Sequence, residues 1–441
     1  MTKQRTPEEK IALAPPAAHG PAAVITRRAS DKLRAGSLWV YRSDVSQLIP
    51  ALATAAPEPG SLVSVLDNRG IPVGTALYSS ASQITLRMVS NTPALPREQY
   101  LNDVRQRVAQ ALTLRRQILA TPDPASGASD SPSAQDNACR LLFSEADDLP
   151  GIIADRYNDL ILLQLLTQGT AQDDVRAALT EVLRTEFKPA AIWERPDPRI
   201  RELEQLAPPA ADPLFTSNKK TPKAATEFTF NGLRFRYDAA SGQKTGAFLD
   251  QRLNYVAAAH HAHGRALDIC TYQGGFALHL ARVCERVTGV DASRAALEVA
   301  DQNLELNRAK LLNNGDGVDW IEADAFELLR EYDATGERFG TIVLDPPAFA
   351  KSKNATEGAL RGYKEMNLRA LKMLEPGGTL VTCSCSHHIS LADFTAAIAS
   401  AAADAGRRVR LMETRGAAPD HPEIVTLPET IYLKCLILQV L

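Results

Sequence analysis

The stretch RALDICTYQGGF at residues 265–276 decides the architecture of the carboxyl half of the chain. Its first residues are typical of a buried parallel strand, and two glycines follow where a helix should begin. Backbone amides at the amino end of such a helix can approach a ligand closely. Asp291 ends the next apolar run, about twenty residues after the first strand, which is where a carboxylate can bind a ribose diol. The sequence therefore predicts a nucleoside pocket at the edge of a sheet.

Outward from this stretch, apolar runs and helical patterns alternate through the carboxyl half. Strands are predicted at residues 266–269, 287–290, 318–321, 341–344 and 378–383, and helices at residues 276–283, 294–307, 325–329, 363–374 and 391–405. Such alternation is typical of βαβ units with right-handed crossovers and a mostly parallel sheet. We predict an α/β, Rossmann-like domain over residues 226–441.

The first loop lacks the G-x-G-x-x-G run of dinucleotide sites, so it is poorly suited to a pyrophosphate. S-adenosylmethionine is a nucleoside cofactor without a phosphate. Asp268 can orient the loop or the cofactor's amino group, Asp291 can bind the ribose, and Asp324 can reach the adenine amine. A helix-packing turn is the alternative interpretation of the glycines alone, but aspartates at three successive strand ends favour the pocket.

Two further segments follow apolar runs and should end at the same edge of the sheet. They are LDPPAF at residues 344–349 and TCSCS at residues 382–386. The prolines make a rigid turn without two amide donors, so carbonyl groups and the Asp345 side chain are displayed toward the pocket. A thiol beside this turn indicates chemistry on a nucleic-acid base.

The chain has 441 residues, a formal net charge of -3, and 45% hydrophobic and 23% charged residues. This composition predicts two or three globular domains and excludes a whole-surface grip on nucleic acid, which needs clustered cations. Six cysteines without a repeating spacing favour reduced thiols in the cytoplasm, and no signal peptide or membrane anchor is predicted. His387 and His388 follow the cysteines, but this run has poor tetrahedral geometry, so no metal site is predicted.

The amino half predicts three units. We expect a disordered leader at residues 1–22, a small, mostly β barrel at residues 23–92, and an α+β domain at residues 93–225 with a flexible insert at residues 121–136. Alternating runs broken by glycine indicate the barrel, and a helix of period 3.6 indicates the second domain. Two basic clusters could contact RNA, although a solvated charged face is the simpler interpretation of each. They are Arg27, Arg28, Lys32, Arg34 and Arg42, and Lys219, Lys220 and Lys223.

The carboxyl half resembles class I S-adenosylmethionine-dependent RNA methyltransferases. The whole chain resembles the large-subunit ribosomal RNA cytosine-5 methyltransferase family, whose members join a PUA domain, a middle domain and a methyltransferase core. The likeness is carried by KTG at 244–246, LDQR at 249–252, GGF at 274–276, DPP at 345–347, SCS at 384–386, DHP at 420–422, and LPG at 149–151 with Asp155. It implies a cytoplasmic enzyme that acts on ribosomal RNA with S-adenosylmethionine as cofactor, and it allows a homodimer.

The resemblance also implies roles for individual residues. Cys385 matches the family's strand-end motif and would add to carbon 6 of a cytosine, which makes carbon 5 reactive toward the methyl group. Asp345 would hold the base. The implied cofactor-binding residues are Asp268, Tyr272, Gly274, Gly275, Phe276, Asp291, Ala292, Asp324 and Ala325.

The group that removes the carbon 5 proton stays open at this point. Many RNA cytosine-5 methyltransferases carry a second cysteine where this chain has Pro347. Cys383 could in principle substitute, but a buried apolar thiol is the favoured interpretation.

Two other functions are compatible with the motifs. Asp-Pro-Pro followed by an aromatic residue, here Phe349, also occurs in methyltransferases that act on exocyclic amines of adenine or guanine and need no thiol. An RNA-binding assembly factor that has lost catalysis is the second alternative. The three strand-end aspartates disfavour it, because an abandoned pocket has no need of those acceptors.

Overall fold

The computed structural model describes residues 12–13, 20–50, 56–120, 136–240, 247–350 and 353–441. Most of the predicted leader, nearly all of the predicted insert at 121–136 and the KTG string at 244–246 lie outside the described residues.

The amino-terminal sheet has seven strands in the order β1-β4-β2-β5-β6-β7-β3. Its elements are β1 (Ala12–Leu13), β2 (Ala22–Ile25), α1 (Arg27–Arg34), β3 (Trp39–Tyr41), β4 (Val45–Ile49), β5 (Leu62–Leu66), β6 (Pro72–Tyr78) and β7 (Ile84–Ser90). Alternation along β5 buries Val63 and Val65 in the core of this unit. The prediction of a disordered leader is wrong at residues 12–13 and 22, because β1 pairs with the backbone of β4 and β2 begins at Ala22.

The middle unit packs two long helices against a five-stranded sheet of order β12-β11-β10-β9-β8. Its elements are α2 (Arg97–Ala120), β8 (Ala138–Phe143), β9 (Ile152–Tyr157), β10 (Leu160–Leu165), α3 (Asp173–Phe187), β11 (Ala191–Glu194), α4 (Pro198–Leu203) and β12 (Phe215–Thr216). Val104, Val108 and Leu112 form the buried stripe of α2, at the helical spacing expected for a face that packs on a sheet.

An antiparallel hairpin, β13 (Ala225–Phe230) and β14 (Leu233–Asp238), connects the middle unit to the carboxyl half. Its alternate residues are aromatic and buried, and they stack on one another, with the Phe230 and Phe235 rings 4.5 Å apart. A 3₁₀ turn at Leu249–Gln251 and helix α5 (Arg252–His261) follow. This aromatic core holds the carboxyl half against the middle unit.

The carboxyl half is a seven-stranded sheet of order β17-β16-β15-β18-β19-β21-β20, in which β21 is antiparallel to its neighbours. The elements are β15 (Arg265–Ile269), α6 (Gly275–Leu280), β16 (Arg286–Asp291), α7 (Arg294–Asn307), β17 (Val318–Glu322), α8 (Ala325–Thr335), β18 (Phe339–Leu344), α9 (Thr356–Met373), β19 (Leu374–Ser384), α10 (Leu391–Asp404), β20 (Val409–Arg415) and β21 (Lys434–Val440). The predicted α/β, Rossmann-like fold is confirmed. The sequence did not predict the strands β20 and β21.

Candidate active site

The order of the strands reverses between β15 and β18, which lie side by side. A reversal of this kind opens a crevice at the carboxyl ends of parallel strands. The loop after β15 and the Asp-Pro-Pro turn after β18 flank that crevice. Asp291 ends the neighbouring strand on one side, and Cys385 follows β19 on the other.

Asp268 is fully buried at the end of β15 and holds the loop that follows. Its Oδ2 accepts hydrogen bonds from Thr271 Oγ1 at 2.6 Å and from the Ala277 amide at 2.9 Å. Its Oδ1 has no partner among the described residues. Burial raises the pKa of Asp268 to about 7. The carboxyl group therefore orients the loop, and its second oxygen is available to a donor on a ligand.

The loop itself has an unusual backbone. Cys270, Tyr272 and Gly274 have φ angles of 65°, 53° and 84°, and such conformations concentrate at functional sites. A Cβ at Gly275 would lie 2.6 Å from the hydroxyl oxygen of Tyr255, so this position requires glycine. Two long-range bonds fix the loop: the Tyr272 amide donates to Asp291 Oδ2 at 2.9 Å, and the side-chain amide of Asn303 in α7 donates to the Gln273 carbonyl at 3.0 Å.

The other two acidic candidates also take part in local structure. Asp291 Oδ1 accepts the Ser293 amide at 2.9 Å. Asp324 caps α8, since its Oδ1 accepts the amides of Phe326 at 2.9 Å and Glu327 at 3.1 Å. Both carboxylates keep lone pairs for further donors. Ala292 and Ala325 follow these two residues directly and line the same sheet edge by position, and Phe276 is buried behind the loop in α6.

These residues fit S-adenosylmethionine. An orphaned carboxyl oxygen at Asp268 suits an amino group, and the acidic strand ends suit a cation with ribose hydroxyls and oppose a phosphate. A small cavity of about 20 Å³ beside the loop is lined by aromatic rings, the loop backbone and Asp345. The Phe248 and Tyr272 rings, 5.1 Å apart, border it.

Asp345 follows β18 and is held by Gln251, whose side-chain amide donates to Asp345 Oδ2 at 3.0 Å. Burial and the nearby carboxylates of Asp250 and Asp268 raise the pKa of Asp345 to about 8. A carboxyl group with this pKa carries its proton at neutral pH in the free protein, so it can donate a hydrogen bond as well as accept one.

Cys385 is partly exposed, while the two serines beside it are fully buried. Ser384 and Ser386 both hydrogen-bond the Tyr363 hydroxyl, at 2.9 Å and 3.0 Å. This anchoring directs the serines inward and leaves Cys385 Sγ at the site, 4.0 Å from the Pro346 carbonyl oxygen. Burial and the charges of Asp345 and Asp250 raise the pKa of the Cys385 thiol to about 12.

Cys383 lies opposite Cys435 in the pairing of β19 with β21, and both thiols are fully buried. Burial raises the pKa of Cys383 well above its ordinary value. The favoured interpretation of the sequence, an apolar buried thiol, matches this position, so Cys383 is not placed to substitute for a second active-site cysteine.

A cleft of about 440 Å³ lies where the three units meet. Trp39 comes from the amino-terminal sheet, Phe143 from the middle unit, and Phe248, Asp250 and Tyr432 from the carboxyl half. The Trp39 indole donates to Glu145 at 2.8 Å across the first two units. The cleft has room for a nucleobase, and its partly exposed aromatic rings are suited to stack on one.

Several basic candidates are already engaged. Arg28 pairs with Asp44 and Arg34 with Asp31 and Asp67, which reduces the cationic character of the first cluster. Arg252, the last residue of the LDQR string, is buried, 3.6 Å from Asp420, and donates to the Ala138 carbonyl. His421 is buried against Asp420 and touches the cleft. Within the described ranges, no three His, Cys, Asp or Glu side chains gather in a metal-binding arrangement.

Strand order, acidic strand ends and a glycine loop define a class I methyltransferase. The chain belongs to the S-adenosylmethionine-dependent methyltransferase family, whose model matches residues 145–438, and residues 24–91 match the model of a PUA-like domain. Its cofactor is S-adenosylmethionine. No helix in the described part of the chain is long and apolar enough to cross a membrane.

Related proteins cover almost the whole chain. A protein of Salmonella arizonae named ribosomal RNA large subunit methyltransferase I is 36% identical over 90% of this chain and 92% of its own length. One of the same name from Photobacterium profundum is 36% identical over 91% of this chain and 95% of its own. A methyltransferase structure complexed with S-adenosylhomocysteine has a TM-score of 0.75 at 17% identity, covering 95% of this chain and 99% of its own, which shows the fold.

The sequence did not reveal several polar residues of the site. Tyr255, Asn303, Tyr432 and Lys434 carry no motif. Asp250 and Gln251 belong to the LDQR string that supported the family resemblance, but no role followed from it. Only their meeting at the sheet edge shows what they contact.

Proposed function

We propose that this protein transfers a methyl group from S-adenosylmethionine to carbon 5 of a cytidine in large-subunit ribosomal RNA, through a transient bond to Cys385. The observation that carries the proposal is the position of Cys385 Sγ, partly exposed and 4.0 Å from the Pro346 carbonyl at the strand-order reversal. The names of the relatives support ribosomal RNA as the substrate.

Carbon 5 of cytosine is a poor nucleophile, and a thiolate added at carbon 6 makes it enamine-like. Because its pKa is raised to about 12, Cys385 holds its proton in the free protein. Bound S-adenosylmethionine supplies the methyl group as a sulfonium, and its positive charge also favours the thiolate. Binding of the cofactor should therefore lower the pKa of the thiol and favour its activation.

Asp345 is suited to hold the base. With a pKa of about 8, its carboxyl group is protonated at neutral pH and can donate to the ring nitrogen of cytosine. That nitrogen gains negative charge when sulfur adds to carbon 6, so the same hydrogen bond strengthens in the adduct. The Pro346 carbonyl, beside the thiol, is an acceptor for the exocyclic amine.

Phe349 follows the Asp-Pro-Pro turn, as an aromatic residue does in methyltransferases that act on exocyclic amines. Its ring packs 4.7 Å from Tyr363 and 5.9 Å from Phe326, centroid to centroid, and stays partly exposed. Cys385 favours the covalent route, because methylation of an exocyclic amine needs no thiol. The cleft at the junction of the three units is lined by aromatic rings, which supports entry of the RNA through this cleft.

The test is methylation of large-subunit RNA isolated from cells that lack this protein, with mass mapping of the product. We expect methyl transfer to carbon 5 of one cytidine, and a loss of roughly 10⁴-fold or more in Cys385→Ser, as for nucleophiles of other covalent enzymes. Cys284→Ser, which changes a buried thiol away from the crevice, is the control. Methylation of an amine, or retained activity in Cys385→Ser, contradicts the proposal. The homodimer stays a prediction, and measurement of the protein's mass in solution would test it.

A further inference from the structure

The route through Cys385 requires a second group. After methyl transfer, carbon 5 carries both a hydrogen and the methyl group, and the hydrogen must leave as a proton before sulfur can be expelled. Pro347 stands where many RNA cytosine-5 methyltransferases have a second cysteine, and Cys383 is buried against Cys435. The following inference rests on the proposed function and names the group that takes this proton.

Asp250 lies in the 3₁₀ turn at Leu249–Gln251. Its side chain is partly exposed and lines the cleft between the three units. Its backbone carbonyl accepts the Ala418 amide at 2.7 Å, which fixes the turn. The next residue, Gln251, donates to Asp345, so Asp250 lies beside the group proposed to hold the base.

Asp250 also has a hydrogen-bond partner from the part of the chain that packs beside Cys385. The Tyr432 hydroxyl donates to Asp250 Oδ2. Tyr432 lies two residues before the first residue of β21, Lys434, which is opposite Ser384. The Lys434 ammonium group donates to the carbonyls of Ser386 and Tyr432, each at 2.7 Å, and ties the two chain segments together. These contacts connect Asp250 to the segment that carries Cys385, and the charge of Asp250 raises the pKa of that thiol, so the two side chains lie near each other.

The other ionisable groups near the thiol are less suited to accept a proton. Burial raises the pKa of Asp345 to about 8, so it holds a proton already. Burial raises the pKa of Tyr432 well above its ordinary value, which keeps the phenol a donor. His387, whose ring centroid lies 5.6 Å from that of Tyr432, is the remaining competitor.

We propose that Asp250, held by Tyr432, accepts the carbon 5 proton directly or through one water. The electron pair of the carbon–hydrogen bond forms the double bond between carbons 5 and 6. The carbon 6–sulfur bond breaks, and its electron pair returns to Cys385 as thiolate. The thiol proton that Cys385 lost to solvent before adding to carbon 6 is taken back from solvent by the released thiolate. Asp250 gives its proton to solvent after product release, so the protein ends each cycle unchanged and one proton is released for each methyl group.

The test separates methyl transfer from proton loss. RNA labelled with tritium at carbon 5 of cytidine is incubated with the protein and S-adenosylmethionine, and methyl incorporation, tritium release and a denaturant-resistant protein–RNA adduct are measured. In Asp250→Asn we expect methyl incorporation to stop near one per protein, tritium release to slow about 10²-fold or more, and the adduct to accumulate. Tyr432→Phe should shift all three in the same direction by less.

Controls decide between the outcomes. The adduct must vanish in Asp250→Asn combined with Cys385→Ser. Glu186→Gln, which changes a half-exposed carboxylate on α3 outside the cleft, should behave as the wild type. Wild-type turnover in Asp250→Asn, or adduct trapping in His387→Gln instead, overturns the inference. If Asp250→Asn does not fold, unchanged kinetics in Tyr432→Phe overturn it. Methylation without tritium release in the wild-type protein defeats the proposed function itself, which is a distinguishable result.

Discussion

The ammonium group of Lys434 lies 2.7 Å from the carbonyl oxygen of Ser386, inside the protein and one residue beyond Cys385. A second bond of the same length joins it to the Tyr432 carbonyl. Burial lowers the pKa of Lys434 to about 8, and a thiolate at Cys385 opposes that shift. Lysine and thiol are therefore electrostatically coupled.

Lys434→Met should slow alkylation of Cys385 by iodoacetamide, because removal of a nearby positive charge raises the pKa of the thiol further. It should also lower the free energy of unfolding by about 1–3 kcal/mol, since two buried carbonyls lose their donor. Peptide mass spectrometry identifies the alkylated cysteine, and urea denaturation reports stability. Lys364→Met, which removes a half-exposed pair with Asp404, is the control, and equal effects in both variants would count against the coupling.

The stability of the cofactor-free protein should fall as pH rises from about 5 to 8. Asp268 and Asp345 have folded pKa values of about 7 and about 8, above the ordinary value of 3.8. The folded state therefore binds more protons than the unfolded state in this window, and the stabilisation present below pH 4 is lost through the folded pKa values. Thermal melts across this range measure the effect. Asp345→Asn should flatten the profile, and an unchanged slope would contradict the assignment.

Gly274→Ala should weaken binding of S-adenosylmethionine about tenfold, a cost of about 1.4 kcal/mol. The residue has a φ of 84°, and a Cβ would lie 3.0 Å from the Trp320 ring, so the loop must shift. Gly377→Ala is the matched control, because its φ is 81° and a Cβ there meets nothing within 4 Å. Both variants should lose about 1–2 kcal/mol of stability. Calorimetric titration should show weaker binding in Gly274→Ala alone.

Arg115→Ala should lower the free energy of unfolding by about 3–5 kcal/mol, because it leaves a buried carboxylate without its partner. Arg115 is 2% exposed, forms a bidentate pair with Asp147, and donates to the Asp420 carbonyl at 3.1 Å. Arg116→Ala, on the same helix, removes an exposed pair with Glu186 and should cost less than about 1 kcal/mol. Similar urea midpoints for the two variants would show that burial does not determine how much stability each substitution removes.

Much of the fold could be predicted because its signals are local. Alternating apolar runs and helices predict a parallel sheet. The glycines at 274 and 275 mark a turn in which Gly274 has a positive φ and Gly275 has no room for a side chain beside Tyr255. Asp268 and Asp345 were recognisable because Asp268 lies near the end of one buried strand and Asp345 directly follows another, and parallel strands end at a common edge. The strands β20 and β21 were not predicted, because the long connection between them at residues 416–433 hides their pairing in the sequence.

Contacts between segments that are far apart in the sequence depend instead on how the chain packs. Tyr432 and Asp250 are 182 positions apart, and Arg115 is 305 positions from Asp420. Nothing in the composition of either segment indicates the other, because a hydrogen bond needs a distance and an angle that exist only after the helices and sheets are assembled. The raised pKa values of Asp345 and Cys385 have the same origin, since burial and neighbouring charge are properties of the folded chain. Local pattern thus predicts which side chains reach the sheet edge, and packing sets their protonation and their partners.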